Sequence, residues 1–396
     1  MADFEKIRED FPILKDIIYL DSASTSLTPV QVIEVMNDYY LNYNANTGRG
    51  TYKIAIKASN KLEQARGKIA AFINSKVKEV VFTKNTTEAI NLVANGLKFE
   101  KGDNILVSNI EHHSNLVPWM NLKNQGVELK IAPVGEDFAV NPYDIEKLID
   151  ENTKLIAITH LSNVFGSLQD IEAISKIARE NNIYFLVDGA QSIGHIPIDM
   201  KKIHCDFMAF PGHKGLLGPL GTGFLYLKEE IANDLFPTNL GGGTITNINN
   251  EEFKLEEVPL RFEGGTQNIP GIIGLGRAID YINELKIENI NKYSNKLTKK
   301  LYEILSSIDN VNVFGNPNNI HNTVSFNLKN LSPYDVSKIL DETANICLRS
   351  GQHCSIPSIR KISSEEGTLR ASVHCYNNEE DLDKLHDALK LISQLS

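Results

Sequence analysis

Seven short runs rich in β-branched and aromatic residues, at 80–83, 104–108, 127–132, 155–159, 183–187, 207–209 and 222–227, alternate with stretches of helical periodicity such as 87–97 and 171–181. Strands that alternate with helices must be joined by crossovers, which predicts βαβ units and a mainly parallel seven-stranded sheet. The run IYFLV at 183–187 is apolar at every position, as a strand covered on both faces should be. After about residue 265 the texture changes. Long helical patterns at 271–285 and 290–307 lead into a different αβ set at 323–327, 334–342 and 369–373. The expected organisation is α/β: a large domain over 16–265 and a smaller α/β domain over 266–396 that also takes in residues 1–15. The asparagine-rich patches at 247–250 and 316–322 read as loops.

A chain of 396 residues is long enough to bury a large core without disulfides or a structural metal. Its 40 Lys and Arg against 50 Asp and Glu give a formal charge of −10, which argues against non-specific binding to nucleic acid or an anionic membrane. The four cysteines, Cys205, Cys347, Cys354 and Cys375, show neither a C-x-x-C pair nor a zinc-type spacing, so no metal site is expected. The charged start MADFEKIRED has no apolar stretch of signal-peptide type, and no run approaches a membrane span. A reducing, cytoplasmic setting is the expectation.

The most informative segment is CDFMAFPGHKGLLGPLGTGFLYL, in which Lys214 stands between Gly212 and Gly215 beside His213. Desolvation in such a glycine-rich, apolar setting lowers an amine's pKa and frees it as a nucleophile, which makes Lys214 a candidate Schiff-base lysine; an ordinary turn lysine is the plainer alternative. Asp188 closes the buried run at 183–187, at the strand end where open α/β sheets bind ligands. A carboxylate there can keep a pyridinium nitrogen protonated, as the electron sink of pyridoxal phosphate requires, or it can simply cap a helix. Gln191 follows on the same loop as a donor for the cofactor's phenolate oxygen. In FTKNTTEAINLVANGL, Asn85 and Glu88 resemble a capping box, and Thr86 and Thr87 place hydroxyls and amides at a helix start, a natural phosphate cradle. His112 and His113 would face opposite ways on a strand, so only one could stack on a pyridine ring.

Together these segments resemble the fold-type I pyridoxal-phosphate enzymes of the class V aminotransferase group, and within it the group II cysteine desulfurases. The similarity runs over nearly the whole chain: IYLDSAST at 18–25, NTTEAINLVA at 85–94, EHHSNLVPW at 111–119, HLSNVFGS at 160–167, VDGAQS at 187–192, GHKG at 212–215, RFEGGT at 261–266, RSGQHC at 349–354 and TLRASVHCYN at 368–377. The resemblance implies pyridoxal 5'-phosphate as cofactor and L-cysteine as substrate, with L-selenocysteine as the alternative. It also implies release of L-alanine, a persulfide on Cys354, a sulfur-acceptor protein, a place in sulfur supply such as iron–sulfur cluster assembly, and a homodimer. Lys214 would hold the cofactor and move the Cα proton. Asp188 would meet the pyridinium nitrogen and Gln191 the phenolate oxygen, while His112 would stack on the ring and act catalytically by shuttling protons. Asn163 would sit near the ring substituents and the substrate; Thr86, Thr87 and His213 would contact the phosphate. Thr266 would reach it from the neighbouring subunit. Arg370 would bind the substrate carboxylate, with Arg349, Arg49 and Ala23 in the same pocket, service to the partner subunit's pocket being the alternative for Arg49. Arg349 and His353 would supply a cationic field to the Cys354 thiolate. Carrying sulfur out of a closed pocket would also ask for a mobile Cys354 loop, with which Gly351 and the polar run 363–367 are compatible.

Two positions depart from the pattern. Pro211 stands three residues before the lysine, where a hydroxyl donor to the phosphate is usual, and Gly48 precedes Arg49, where a histidine is common. The rival readings are a selenocysteine lyase, another C–S lyase or an aminotransferase on the same scaffold, and a catalytically silent scaffold protein. A nucleotide-dependent oxidoreductase is more distant, because GPLGTG at 218–223 lacks the G-x-G-x-x-G order.

Overall fold

The computed structural model describes residues 4–362 and 364–394. After a short strand β1 (Ile18–Tyr19), the chain lays down β2 (Val80–Thr83), β3 (Asn104–Ser108), β4 (Glu128–Ala132), β5 (Thr153–Thr159), β6 (Tyr184–Asp188), β7 (Phe207–Pro211) and β8 (Gly223–Leu227). These last seven form one sheet in the order β2-β8-β7-β6-β5-β3-β4. Only β8 runs antiparallel to its neighbours.

Alternation along each strand divides the sheet's side chains between two cores. Leu106, Ile156, Ile158, Phe185, Val187, Met208 and Phe210 enter one. Ile105, Val107, Leu155, Ala157, Leu186, Phe207 and Ala209 enter the other. This is why the strands read as continuous apolar runs: both faces are covered. The first core includes residues of helices Lys53–Phe72, Ile171–Glu180 and Ile269–Leu285, and the second those of helix Thr86–Gly96 together with Trp119.

The remaining strands are the hairpin β9 (Ile245–Ile248) and β10 (Phe253–Leu255), then β11 (Val311–Phe314), β12 (Thr323–Leu328), β13 (Ile346–Cys347), β14 (Arg349–Gly351) and β15 (Thr368–Ser372). The 247–250 patch, expected as loop, is partly strand: Asn247 and Ile248 pair with Lys254 and Phe253. Strands β11, β12, β15 and β14 form an antiparallel sheet. It shares a third core with Leu297, Leu301, Leu340 and Leu385. Ile18 and Leu20 lie in this third core, with β1 parallel to β13. Helix Ile269–Leu285 lies in the first core, with the large sheet, although it follows residue 265. Helix Ile287–Ser306 runs from one to the other, with Ile290 in the first core and Leu297 in the third. Among the described residues, no helix is long and apolar enough to cross a membrane.

One buried ion pair ties the edge of the large sheet to the segment that feeds helix Ile269–Leu285. Arg66 donates to both carboxylate oxygens of Glu263, at 2.6 and 2.9 Å, and to the carbonyl of Val80 at 2.9 Å. Glu263 also accepts the amide of Phe82 at 2.7 Å. Removing Glu263 leaves the buried Arg66 with only the exposed Glu63, at 3.0 and 3.1 Å, as counter-ion among the described residues. Glu263→Ala is therefore expected to cost about 3–5 kcal/mol of stability in denaturant unfolding.

Candidate active site

The carboxyl ends of β5, β6 and β7 and the start of helix Thr86–Gly96 converge on a cavity of about 300 Å³. Lys214, Asp188, His112, Asn163, Gln191, His213, Thr86 and Thr87 all border it. It lies where strand ends leave space outside an α/β sheet.

Lys214 sits in the turn after β7, and that turn is locked by close packing. A Cβ on Gly215 would stand 2.1 Å from the Ile193 carbonyl, so only glycine fits there. The Gly215 carbonyl accepts from Nε2 of the buried His374 at 3.1 Å. Burial pushes the Lys214 amine down to about 8, against the pull of Asp188. The segment thus behaves as its glycine-rich, apolar character predicts. Asp188 is buried and accepts the Ala190 amide at 2.9 Å. Its carboxyl is raised by burial and lowered by that hydrogen bond and by Lys214.

Contrary to the strand expected here, His112 caps the short 3-10 turn His113–Asn115, accepting the Ser114 amide at 3.1 Å. The two histidines therefore diverge because of the turn: His113 Nε2 accepts the Ile356 amide at 3.2 Å, away from the cavity wall that His112 lines. Burial first, then the Lys214 cation, holds His112 down to about 3. It is a neutral imidazole, suited to stack on an aromatic ring.

Beneath it lies a residue that the motif contained without revealing its importance. Glu111 is fully buried and accepts from Ser108 Oγ, Asn115 Nδ2 (2.6 Å) and the Thr159 amide (3.1 Å), and Asn115 in turn accepts from Trp119 at 3.1 Å. Burial pushes its carboxyl up from 4.5 to about 8. Between those values the folded chain keeps a proton that the unfolded chain has released, so this group's contribution to stability is lost as pH rises through about 8. Glu111→Gln is expected to remove that loss, so that urea midpoints between about pH 6 and about pH 9 fall less in the variant than in the parent.

The phosphate end of the cavity suits an anion. Asn85 caps the helix, accepting the Glu88 amide at 2.9 Å. Glu88, however, reaches the amide of Lys84 rather than that of Asn85, so the capping box is half formed. The Thr86 hydroxyl is buried beside the cavity without a protein partner, and a helix N-terminus favours an anion. Thr87 Oγ1 lies 2.7 Å from Ser114 Oγ, and Ser114 also lines the cavity. Ser114 is thus an additional hydroxyl near the place where Pro211 supplies none. His213 Nδ1 lies 3.1 Å from Thr25 Oγ1, and burial followed by Lys214 lowers it to about 4. Gln191 gives one N–H to the Ala23 carbonyl at 2.8 Å, leaving its second for the cavity. An anion cradle, a buried carboxylate, a neutral imidazole and a desolvated amine are the donor set that pyridoxal phosphate needs.

The substrate end is built from the second sheet. Arg370 donates to the Asn163 carbonyl at 3.0 Å, Asp21 at 3.1 Å and Ser24 Oγ at 2.7 Å, and Arg349 donates to Ser24 Oγ at 2.8 Å. The arginines meet the cavity through Ser24 and Asn163, which line it. Ser24 rather than the buried Ala23 presents this loop to the cavity; Ala23 gives its amide to Ser372 Oγ at 2.9 Å. Arg49 and Thr266 are not brought to Lys214. Both are exposed and share a separate cavity of about 650 Å³. Gly48 before Arg49 has φ +93°, a left-handed conformation that disfavours the histidine common at this place.

Cys354 is exposed and its loop is pinned. Its carbonyl accepts the His113 amide at 2.7 Å, and the His353 carbonyl accepts Asn163 Nδ2 at 2.8 Å. His353 and Cys354 are both left-handed, at φ +51° and +54°. Cys354 thus stands at the surface on a loop whose backbone is hydrogen-bonded to His113 and Asn163. Gly351 is a strand residue of β14 facing Thr368, and Ser363 lies outside the described residues. Cys354 itself is not among the residues that line the Lys214 cavity; its loop meets that cavity through Asn163. The expected cationic role of His353 does not hold. Burial, then Arg370 and Arg349, keep it far below the usual histidine range, and its Nε2 meets Thr368 Oγ1 at 2.8 Å. Cys205 and Cys375 are buried, and burial raises both thiols, so they are inert by comparison.

Fold and site together define a fold-type I pyridoxal-phosphate enzyme. The model of the class-V aminotransferase family matches residues 18–385, and the chain belongs to that family. It is similar to a probable cysteine desulfurase of Methanothermobacter thermautotrophicus, 49% identical over 98% of each chain. The apo structure of the cysteine desulfurase from Thermococcus onnurineus NA1 superposes with a TM-score of 0.97 at 40% identity, covering 100% of this chain and 99% of that one. The cysteine desulfurase CsdA of Escherichia coli, in its S-sulfonic acid form, superposes at 0.93 and 31% identity over 100% and 99%.

Proposed function

We infer that the chain is a pyridoxal-phosphate-dependent cysteine desulfurase that converts L-cysteine to L-alanine and carries the released sulfur on Cys354 as a persulfide. The observation that supports the sulfur step is the exposed Cys354 on a loop joined to the cavity wall, where the neighbouring His353 carbonyl accepts from Asn163 at 2.8 Å. The bound cofactor supplies an electron sink that labilises the Cα–H bond and weakens the Cβ–S bond of the substrate amino acid. Asp188 would hold the proton on the ring nitrogen of that cofactor, and neutral His112 would offer it a stacking face. The Lys214 amine takes the Cα proton. Arg370 and Arg349 take the carboxylate as paired donors. The Cys354 thiolate attacks the substrate sulfur. An S–S bond forms as the C–S bond breaks, the electron pair stays with Cβ, and a proton added there completes alanine.

The same reading makes the protein a homodimer in which Arg49 and Thr266, exposed away from Lys214 in their own chain, complete the partner's site. It passes sulfur to an acceptor protein in the cytoplasm, for uses such as iron–sulfur cluster assembly. The test is incubation of the cofactor-loaded protein with L-cysteine and a reducing thiol. Equal sulfide and alanine are expected; sulfide with pyruvate instead, or neither product, would exclude the assignment.

A further inference from the structure

Arg349 and Arg370 lie directly opposite each other in the antiparallel pair β14–β15. Like charges in that register repel; burial first, and then the Arg349 cation against the pull of Asp21, lower the Arg370 guanidinium. Around this pair the structure places one carboxylate, Asp21, which Arg370 meets at 3.1 Å. In these direct contacts two guanidiniums meet a single carboxylate, an arrangement suited to a substrate α-carboxylate. Arg370 Nε is moreover buried without a protein partner.

The group that holds the pair together is a hydroxyl. Ser24 Oγ donates to Asp21 Oδ1 at 2.7 Å and accepts from Arg349 Nη1 at 2.8 Å and Arg370 Nη2 at 2.7 Å. A hydroxyl has one proton and two acceptor sites, and all three are committed. Ser24 also borders the cavity that holds Lys214. It is the one cavity-lining residue bonded to both guanidiniums, while its backbone loop is fixed by the Gln191–Ala23 and Ala23–Ser372 contacts.

We propose that Ser24 is a positioning residue that sets the spacing and aim of Arg349 and Arg370 toward the carboxylate of a compact amino acid. The proposal rests on the reading of those arginines as the carboxylate site. Without the hydroxyl the two cations separate, and substrates lose the paired donors while keeping every contact made through their amine.

The test compares glycine with methylamine, which differ by the carboxylate, in titrations read by the absorbance of the bound cofactor. In Ser24→Ala, glycine is expected to bind about 10-fold more weakly, the loss of one hydrogen bond to a charged group, with methylamine unchanged. The KM for L-cysteine should rise by a similar factor, with kcat altered less. Ser24→Thr, which keeps a hydroxyl, should recover part of the glycine affinity. Equal weakening of both ligands, or no change in either, would overturn the proposal. Arg370→Lys is the companion variant. If it loses the preference for glycine while Ser24→Ala keeps it, only the role of Ser24 fails. If Arg370→Lys keeps that preference, the carboxylate reading fails as well.

Discussion

Replacing Lys214 by alanine is expected to reduce L-cysteine turnover ~10³-fold or more, because in the proposed mechanism one group both holds the cofactor and moves the Cα proton. The candidates for substitution are poor. His112 is a neutral imidazole held down to about 3, and His213 is held down to about 4. The phosphate cradle at Thr86 and the carboxylate of Asp188 remain, so the variant should still take up pyridoxal phosphate. Borohydride should fix the cofactor to the parent protein and not to the variant. Turnover within tenfold of the parent, or borohydride fixation that survives the substitution, would show that another amine carries the chemistry.

Replacing Cys354 by alanine is expected to leave cofactor uptake and colour intact while reducing sulfide release from L-cysteine by about 10²-fold or more. The Cys354 loop is held by backbone contacts, through the Cys354 and His353 carbonyls, so removing the thiol leaves the frame in place. L-Selenocysteine separates the rival reactions. Selenide leaves more readily than sulfide, so activity on L-selenocysteine that survives while activity on L-cysteine disappears is the expected pattern. Full retention of L-cysteine turnover would remove Cys354 from the mechanism.

Much of the frame was legible because burial on both faces leaves a simple trace. β2, β3 and β8 fall within a residue of their apolar runs. β6 ends on Asp188, the residue that its apolar run singled out. The motif residues Lys214, Asp188, His112, Asn163, Gln191, His213, Thr86 and Thr87 do meet in one cavity. What escaped depends on contacts distant in sequence. The Arg66–Glu263 pair joins residues 197 apart, and nothing local to either marks it as buried. The Asp21–Ser24–Arg349–Arg370 cluster brings an N-terminal loop onto a C-terminal sheet, so Ser24 read as an ordinary motif residue. His353 was misread because sequence proximity to Cys354 says nothing of burial, which sets its charge. The His112 turn was read as strand because the backbone there follows the Glu111 network rather than the sheet. Arg49 and Thr266 have the residue types of a substrate and phosphate site, yet one chain leaves them in a cavity of their own.

The central claim, that sulfur leaves L-cysteine for Cys354, is tested most directly by a single turnover without reductant, followed by peptide mass analysis after alkylation. The expected result is one extra sulfur atom on the peptide that contains Cys354, in amounts equal to the alanine formed. Alanine formed with the extra sulfur on Cys347 or on no cysteine would contradict the account.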